Sequence, residues 1–222
     1  MLRTEGLGYW YQNKDQPLFQ QVNLEFEVGQ SYAILGHSGS GKTTFLSLIA
    51  GLDKPREGAI FLNDRPLTEI GLTHYRRHEV SIVFQAYNLF TYMSPLNNLL
   101  TAMAITGASH AGDQDYARQI LRDLGIADEL MTRNVQHLSG GQQQRVAIAR
   151  TMCCDAKLVV ADEPTGNLDE DNTQAVIAQF QRIAHDQQKC VILVTHEPDV
   201  AAQCDQQYRL ENKQFVRLAE RA

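Results

Sequence analysis

The sequence has no apolar run that approaches the roughly 18 consecutive apolar residues of a membrane-spanning helix. Its first six residues also lack the apolar core of a signal peptide. Aspartate and glutamate outnumber lysine and arginine, 26 to 20, and no basic cluster occurs. A nucleic-acid surface needs clustered positive charge, so we do not expect nucleic acid as a partner. We expect a cytosolic protein that reaches a membrane only through a partner.

Cysteine is also scarce, and its spacing fits neither a zinc site nor a disulfide framework. The four cysteines are Cys153, Cys154, Cys190 and Cys204, and none belongs to a C-x-x-C motif. The adjacent pair lies in an apolar stretch, where small buried thiols are common. We therefore expect four reduced cysteines in a packed core.

Several short segments alternate apolar with polar residues. Leu24, Phe26 and Val28 alternate in this way up to the turn at Gly29. A period of two predicts a half-buried strand. Further short strands are predicted at Ala59–Leu62, Gln207–Leu210 and Phe215–Leu218.

Four other apolar segments are continuous, which is typical of parallel strands buried on both faces. They are Tyr32–Leu35, Val80–Phe84, Lys157–Ala161 and Val191–Val194. Helical spacings lie between them, for example at Val176, Phe180 and Ile183. This alternation predicts an α/β fold. The segment from about Ala86 to Arg150 contains no strand pattern, and we expect an all-helical insertion there.

A glycine-rich loop separates the first continuous strand from a helix predicted at Thr44–Ala50. Its residues match the P-loop pattern. They are Gly36, His37, Ser38, Gly39, Ser40, Gly41, Lys42 and Thr43, followed by Thr44. Glycines let backbone N–H groups converge on phosphate oxygens at a helix N-terminus. The pattern predicts that Lys42 contacts the β- and γ-phosphates of ATP and that the Thr43 hydroxyl binds Mg²⁺.

Polar side chains follow three more of the continuous strands. Asp162 and Glu163 come directly after one strand, Gln85 follows a second, and His196 follows a third. Open α/β sheets bind ligands at the carboxyl ends of their strands. We expect Asp162 to hold Mg²⁺ and Glu163 to act as general base. Gln85 can orient a water or contact the metal, and His196 can hydrogen-bond the γ-phosphate.

A second anion site is predicted at Leu138–Gln142. Ser139 and Gln142 stand in capping-box spacing ahead of a helix predicted at Gln143–Arg150. Gly140 and Gly141 expose backbone N–H groups at its N-terminus, where the helix dipole favours negative charge. An ordinary capped helix would leave the double glycine unexplained.

With these motifs in order over essentially its whole length, the chain resembles the nucleotide-binding subunit of ATP-binding-cassette (ABC) transporters. The resemblance implies a RecA-like P-loop core (1–86 and 151–222) with an N-terminal antiparallel β subdomain, and a helical subdomain (87–150). It assigns Gln85 to the glutamine loop, Leu138–Gln142 to the signature motif and Asp169 to the D-loop. Asp162 and Glu163 resemble the Walker B aspartate and the catalytic glutamate, and His196 the switch histidine. Tyr11 is our choice for the aromatic residue that stacks on adenine, with Trp10 and Tyr9 as alternatives.

In this family two ATP-binding subunits dimerise head to tail, so that each signature helix closes over the γ-phosphate held by the other subunit. The resemblance therefore implies a homodimer with Asp169 at its interface. It also implies integral membrane permease partners on the inner face of the cell membrane. The partners would be contacted through Gln85 and through a helical segment, Ala86–Ala102, that carries Tyr87, Leu89, Phe90 and Tyr92.

Residues 162–169 and 195–201 resemble the branch of lipoprotein-release, macrolide and antimicrobial-peptide exporters and a cell-division ATPase. Asn97-Asn98 departs from the Glu-Asn often found there, which bears on the choice of partner. The alternative function is an ATP-driven regulatory or scaffold module that transports nothing. The transported substrate is not encoded in this chain.

Overall fold

A computed structural model of the chain describes residues 1–166 and 168–218. The strands are β1 (Leu2–Tyr9), β2 (Phe19–Phe26), β3 (Ser31–Leu35), β4 (Glu57–Leu62), β5 (Arg65–Pro66), β6 (Val80–Val83), β7 (Leu158–Asp162), β8 (Cys190–Thr195), β9 (Gln206–Glu211) and β10 (Gln214–Arg217). The helices are α1 (Lys42–Ile49), α2 (Leu67–Ile70), α3 (Leu72–His78), α4 (Pro95–Thr106), α5 (Gln114–Asp123), α6 (Gly140–Met152), α7 (Glu170–His185) and α8 (Pro198–Ala201).

The continuous apolar segments form the centre of a six-stranded sheet in the order β10-β9-β3-β8-β7-β6. All its neighbouring strands are parallel except β9 and β10. Alternate residues of the central strands belong to two different apolar cores. In β3, Ala33 and Leu35 pack with α4, α5 and α6, whereas Tyr32 and Ile34 pack with Phe45 of α1. Burial on both faces explains why these strands are apolar throughout.

A second, four-stranded antiparallel sheet has the order β2-β1-β4-β5. The strands predicted around Leu24 and at Ala59–Leu62 belong to this sheet. However, β2 ends at Phe26, so Val28 lies outside the strand and is exposed. No sequence pattern predicted β1, because Gly6 and Gly8 interrupt its alternation. Together the two sheets and the helical insertion confirm the predicted fold class: an α/β P-loop core, an antiparallel β subdomain and an all-helical subdomain.

The insertion contains no strand among its residues, but one helix prediction was wrong. Residues 86–94 form a loop, and α4 begins only at Pro95, where the Ser94 hydroxyl accepts a hydrogen bond from the Asn97 N–H (3.2 Å). The buried Asn98 explains the difference. Its Oδ1 accepts from the Phe90 N–H (2.8 Å) and its Nδ2 donates to the Ser94 carbonyl (3.0 Å). A side chain in the helix thus holds the preceding loop.

The cysteine prediction is confirmed, since all four are free and buried. Among the described residues, no helix is long and apolar enough to cross a membrane.

The close pairing of β1 with β4 yields a test of the fold. Gly58 has φ +74°, and a Cβ added there would lie 2.3 Å from the Glu5 carbonyl oxygen and 2.5 Å from the Gly6 carbonyl group. Gly107 also has positive φ (+66°), but a Cβ there meets nothing within 4 Å. We predict that Gly107→Ala costs about 1–2 kcal/mol, the strain of the left-handed conformation. Gly58→Ala should cost at least about 2 kcal/mol more, because backbone must move. Denaturant unfolding measures both, and equal costs would contradict the close approach of the two strands.

Candidate nucleotide site

The glycine-rich loop joins the buried strand β3 to helix α1. Gly39 and Gly41 adopt φ values of +77° and +106°, which side-chain-bearing residues rarely adopt. Gly41 is the N-cap residue, and no side chain caps α1. The first N–H groups of α1 are therefore available to an anion at the loop.

Lys42 extends across this loop. Its ammonium Nζ donates to the carbonyl oxygens of Gly36 (2.8 Å) and His37 (3.1 Å), and the residue is only 5% exposed. The ammonium is thus held against the carbonyl oxygens at the start of the loop. The Ser40 hydroxyl is buried there and has no hydrogen-bond partner among the described residues.

The loop meets the end of β7 through one hydrogen bond. The Thr43 hydroxyl donates to Asp162 Oδ1 (3.2 Å). Burial raises the pKa of the Asp162 carboxyl above its usual value, and the neighbouring Glu163 carboxylate adds to this rise. The Thr43 hydroxyl and the Lys42 ammonium act in the opposite direction, since both favour the charged form.

Glu163 begins the turn after β7 with a backbone φ of +44°, an uncommon value for a residue with a side chain. Its N–H donates to the Val194 carbonyl of β8 (2.9 Å), which fixes the turn against the neighbouring strand. The carboxylate Oε1 lies 3.3 Å from Nδ1 of the exposed His196. Backbone strain of this kind persists where surrounding contacts impose it, often at functional sites.

Gln85 approaches the same carboxylate from β6. A Cβ added at Gly166 would lie 3.2 Å from Gln85 Nε2 and 3.8 Å from Glu163 Oε2. The amide and the carboxylate therefore flank one glycine. The ends of β3, β6, β7 and β8 bring together the loop, Gln85, Asp162, Glu163 and His196.

The loop and Glu163 line a pocket of about 270 Å³ that also includes Tyr11 and Leu18. Tyr11 is 63% exposed, and its hydroxyl hydrogen-bonds the Thr44 hydroxyl (2.8 Å). Tyr9 is buried, and its hydroxyl donates to Asp53 (2.6 Å). Trp10 is half-buried beneath the Lys14 ammonium, 5.5 Å from its ring. Of the three aromatic residues considered, only Tyr11 lines this pocket.

The capping box at Ser139 is present. The Ser139 hydroxyl accepts from the Gln142 N–H (3.3 Å), and the Gln142 side chain accepts from the Ser139 N–H (2.9 Å). Helix α6 begins earlier than predicted, at Gly140, so both glycines lie in its first turn. A Cβ at Gly140 would meet the Tyr87 hydroxyl at 3.1 Å, and one at Gly141 would meet Asn172 at 3.0 Å.

Asp169 lies with this second group of residues. Its carboxylate caps α7 by accepting from the Asn172 N–H (2.9 Å), and hydrogen bonds from Asn172 lower its pKa. In the part of the chain that the structure describes, no hydrogen bond or ion pair joins residues 139–142 to the phosphate loop, and none of these four residues lines its pocket. One chain therefore presents two separate helix N-termini, at α1 and α6, of the kind that binds anions.

Asn172 and Arg145 are the residues at this site that no sequence pattern had singled out. Asn172 follows Asp169 at the i, i+3 spacing of a helix cap, which was a usable signal. The bond from Arg145 Nη1 to Asn172 Oδ1 (2.9 Å) crosses 27 residues and has no local signature.

Comparison with known proteins gives a consistent result. A profile of the family described as ABC transporter matches residues 19–166. The ABC transporter ATP-binding protein YclH of Bacillus subtilis is 51% identical over 216 residues, 97% of this chain and 96% of that protein. The lipoprotein-releasing system ATP-binding protein LolD of Chromohalobacter salexigens is 36% identical, over 95% of this chain and 91% of that protein.

Two dimeric structures of MJ0796, a bacterial ABC transporter cassette, match this fold with a TM-score of 0.88, at 28% identity and over the whole of both chains. One of them is a post-hydrolysis state bound to ADP and Pi. The loop, the strand ends and these similarities define a P-loop ATPase. The chain belongs to the ABC transporter family, as an ATP-binding subunit.

The raised pKa of Asp162 predicts that this carboxylate destabilises the fold. Folding favours its protonated form, so the destabilisation is present at neutral pH and is relieved as the pH falls from the folded-state pKa towards the ordinary value of 3.8. Asp162→Asn keeps an acceptor for Thr43. At pH 7 without nucleotide or metal it should raise Tm, by about 2–4 °C per kcal/mol relieved. Asp15→Asn makes the same charge change at an exposed position and should leave Tm nearly unchanged. An unchanged or lower Tm for Asp162→Asn would contradict the argument.

Proposed function

We propose that the chain binds MgATP at residues 36–44 and hydrolyses it. The observation that carries this proposal is the Thr43–Asp162 hydrogen bond, because it joins the helix end that would bind phosphate to a carboxylate at the end of β7. The loop amides and Lys42 would hold the phosphates. The Ser40 hydroxyl, which has no hydrogen-bond partner among the described residues, fits a loop that completes its hydrogen bonds with phosphate oxygens.

The residues present also fit Mg²⁺, which prefers oxygen ligands and keeps several waters. The Thr43 hydroxyl, the Asp162 carboxylate and the Gln85 amide oxygen are the groups that would hold it. When bound, the ion would neutralise charge on the phosphate oxygens. The Asp162 carboxylate would then gain the counter-charge that its partly buried position lacks.

Glu163 is the group we assign as general base. It would accept the proton of the water that attacks the γ-phosphate. Its strained backbone and the His196 contact aim the carboxylate into the pocket, and His196 would also contact the γ-phosphate. Tyr11 would stack on adenine, since Tyr9 is buried and Trp10 lies outside the pocket.

Hydrolysis by this site would require a second copy of the chain. Within one chain, residues 139–142 stand apart from the phosphate loop, yet they form a capped helix N-terminus of the kind that binds anions. We propose that two copies associate head to tail, so that Ser139, Gly140, Gly141 and Gln142 of one complete the site of the other. Asp169 would lie at their interface. Dimeric cassettes with this fold support the arrangement.

The membrane partner would dock beside residues 86–106. A groove of about 220 Å³ lies there between β6, α4 and α6, and it is lined by Ile82, Phe90, Ala102, Ile105 and Arg150, among others. Ile105 is 53% exposed and Tyr92 is 73% exposed. Such exposed apolar groups are typical of a protein interface. Asn97 is exposed on the same helix as Ile105 and would influence the choice of partner.

The loop at residues 86–94, next to this groove, is connected to both parts of the ATP site. Arg150 Nη1 and Nη2 donate to the carbonyls of Asn88 (2.6 Å) and Tyr87 (3.2 Å). The Tyr87 hydroxyl lies close to Gly140, where an added Cβ would meet it at 3.1 Å, and Gln85 precedes the loop. The chain would thus act as a peripheral subunit on the cytoplasmic face of the membrane, with 87–150 as its helical subdomain. Similarity to a lipoprotein-releasing system favours export or mechanotransmission.

Glu163→Gln tests the hydrolysis mechanism. The variant should bind ATP as the wild type does, because the amide leaves the phosphate contacts in place, but turnover should fall by about 100-fold or more. With ATP it should accumulate as a dimer in size-exclusion chromatography. Near-normal hydrolysis would exclude Glu163 as general base.

Wild-type turnover per chain should also rise with protein concentration, because each site would need a second copy of the chain. A turnover per chain that stays constant on dilution would contradict the shared site.

A further inference from the structure

One side chain, Asn172 in the first turn of α7, connects Asp169 to the signature helix α6. It is half-buried, and both ends of its amide group are used. Nδ2 donates to both carboxylate oxygens of Asp169, at 2.8 and 3.0 Å. Oδ1 accepts from Arg145 Nη1 at 2.9 Å. The amide thus bridges Arg145 of α6 and Asp169 at the start of α7.

The Asp169 carboxylate is held almost entirely by this one residue. Besides the two bonds from Nδ2, it accepts a third from the Asn172 backbone N–H at 2.9 Å. These bonds fold the carboxylate back onto the first turn of its own helix. Asp169 is exposed, so the direction of its carboxylate is fixed by Asn172 rather than by burial.

The opposite side of Asn172 rests on the signature motif. A Cβ placed on Gly141 would meet Asn172 Oδ1 at 3.0 Å and Cγ at 3.1 Å, so α6 and the amide are in close contact. A displacement of α6 therefore moves Arg145 and Gly141 against the amide. A carboxamide side chain can accept from Arg145 and donate to Asp169 at the same time, whereas a carboxylate has no donor.

We propose that Asn172 is a positioning residue that transmits the position of the signature helix of a chain to Asp169 of the same chain. The proposal rests on the proposed function, in which both α6 and Asp169 face the second copy. When residues 139–142 engage the phosphate held by the partner copy, α6 shifts, and the amide redirects the carboxylate that faces the partner. Asn172 touches neither the phosphate pocket nor Glu163, so it acts only through these neighbours.

A double-mutant cycle tests the proposal. Arg145→Met and Asp169→Asn are combined, and kcat is measured at saturating ATP. Asp169→Asn keeps an acceptor for the helix cap. Arg145 and Asp169 share no direct bond, so any coupling between them passes through Asn172. With Asn172 present, the loss of kcat in the double variant should be at least about threefold smaller than the product of the two single losses. In an Asn172→Leu background the losses should multiply.

Two further variants separate this role from simple stabilisation of α7. Asn172→Asp retains the acceptor for Arg145 and the backbone cap but loses the donor, so it should abolish the coupling while the chain still folds. Asp171→Asn is the matched control, an exposed neighbour in the same turn, and its effect should multiply with that of Arg145→Met. ATP affinity of the single chain should stay within about twofold for the Asn172 variants, with the change confined to kcat.

The proposal is overturned if the losses of kcat simply multiply when Asn172 is present. It is also overturned if the coupling between Arg145 and Asp169 persists in the Asn172→Leu and Asn172→Asp variants. This result is distinct from a failure of the proposed dimer. The dimer is judged by the concentration dependence of wild-type turnover, whereas the cycle compares variants at one fixed concentration. Either result can therefore be obtained without the other.

Discussion

The parallel pairing of β3 with β8 and of β8 with β7 determines where the phosphate loop, Asp162, Glu163 and His196 lie relative to one another. Leu35 pairs with Thr195, so Gly36 and His196 follow the two strands side by side. Asp162 pairs with Val194, so Glu163 emerges one residue further along the same edge. The pairing is stabilised by burial of both faces of these strands, which removes apolar side chains from water on each side of the sheet. A slip of one residue would exchange the two cores and separate Thr43 from Asp162.

A second feature is the separation of the two helix N-termini within one chain. α1 begins at the phosphate loop without a side-chain cap, whereas α6 begins with a complete capping box at Ser139. The N-terminus of α1 leaves its N–H groups available to a ligand, whereas the capping box already orders the N-terminus of α6 without a ligand. Side chains connect α6 instead to its own neighbours: Arg150 to the loop of Tyr87, Tyr87 to Gly140, and Asn172 from Gly141 to Asp169. In the proposed dimer there are two shared sites, and each chain contributes one half of each.

Much of this was predictable from the sequence because the informative signals were local. The continuous apolar strands, the phosphate loop and the capping box are each encoded within a few adjacent residues. The strand β1 was not predicted, since Gly6 and Gly8 break its alternation and only pairing with β2 and β4 makes it a strand. The loop at residues 86–94 was wrongly predicted as helix, because the groups that hold it, Asn98 and Arg150, lie later in the chain. Contacts of that kind depend on tertiary structure and leave no periodic pattern.

The central claim is that residues 139–142 of one copy complete the phosphate site of another, and a mixing experiment tests it most directly. Lys42→Ala removes the phosphate contact of one chain but leaves its signature helix intact. Ser139→Glu places a negative charge at the start of α6, which a helix N-terminus tolerates but bound phosphate would not. Each variant alone should be inactive. An equal mixture should regain about a quarter of wild-type turnover, because half of the randomly formed dimers carry one complete site of two. A mixture as inactive as its components would contradict the claim.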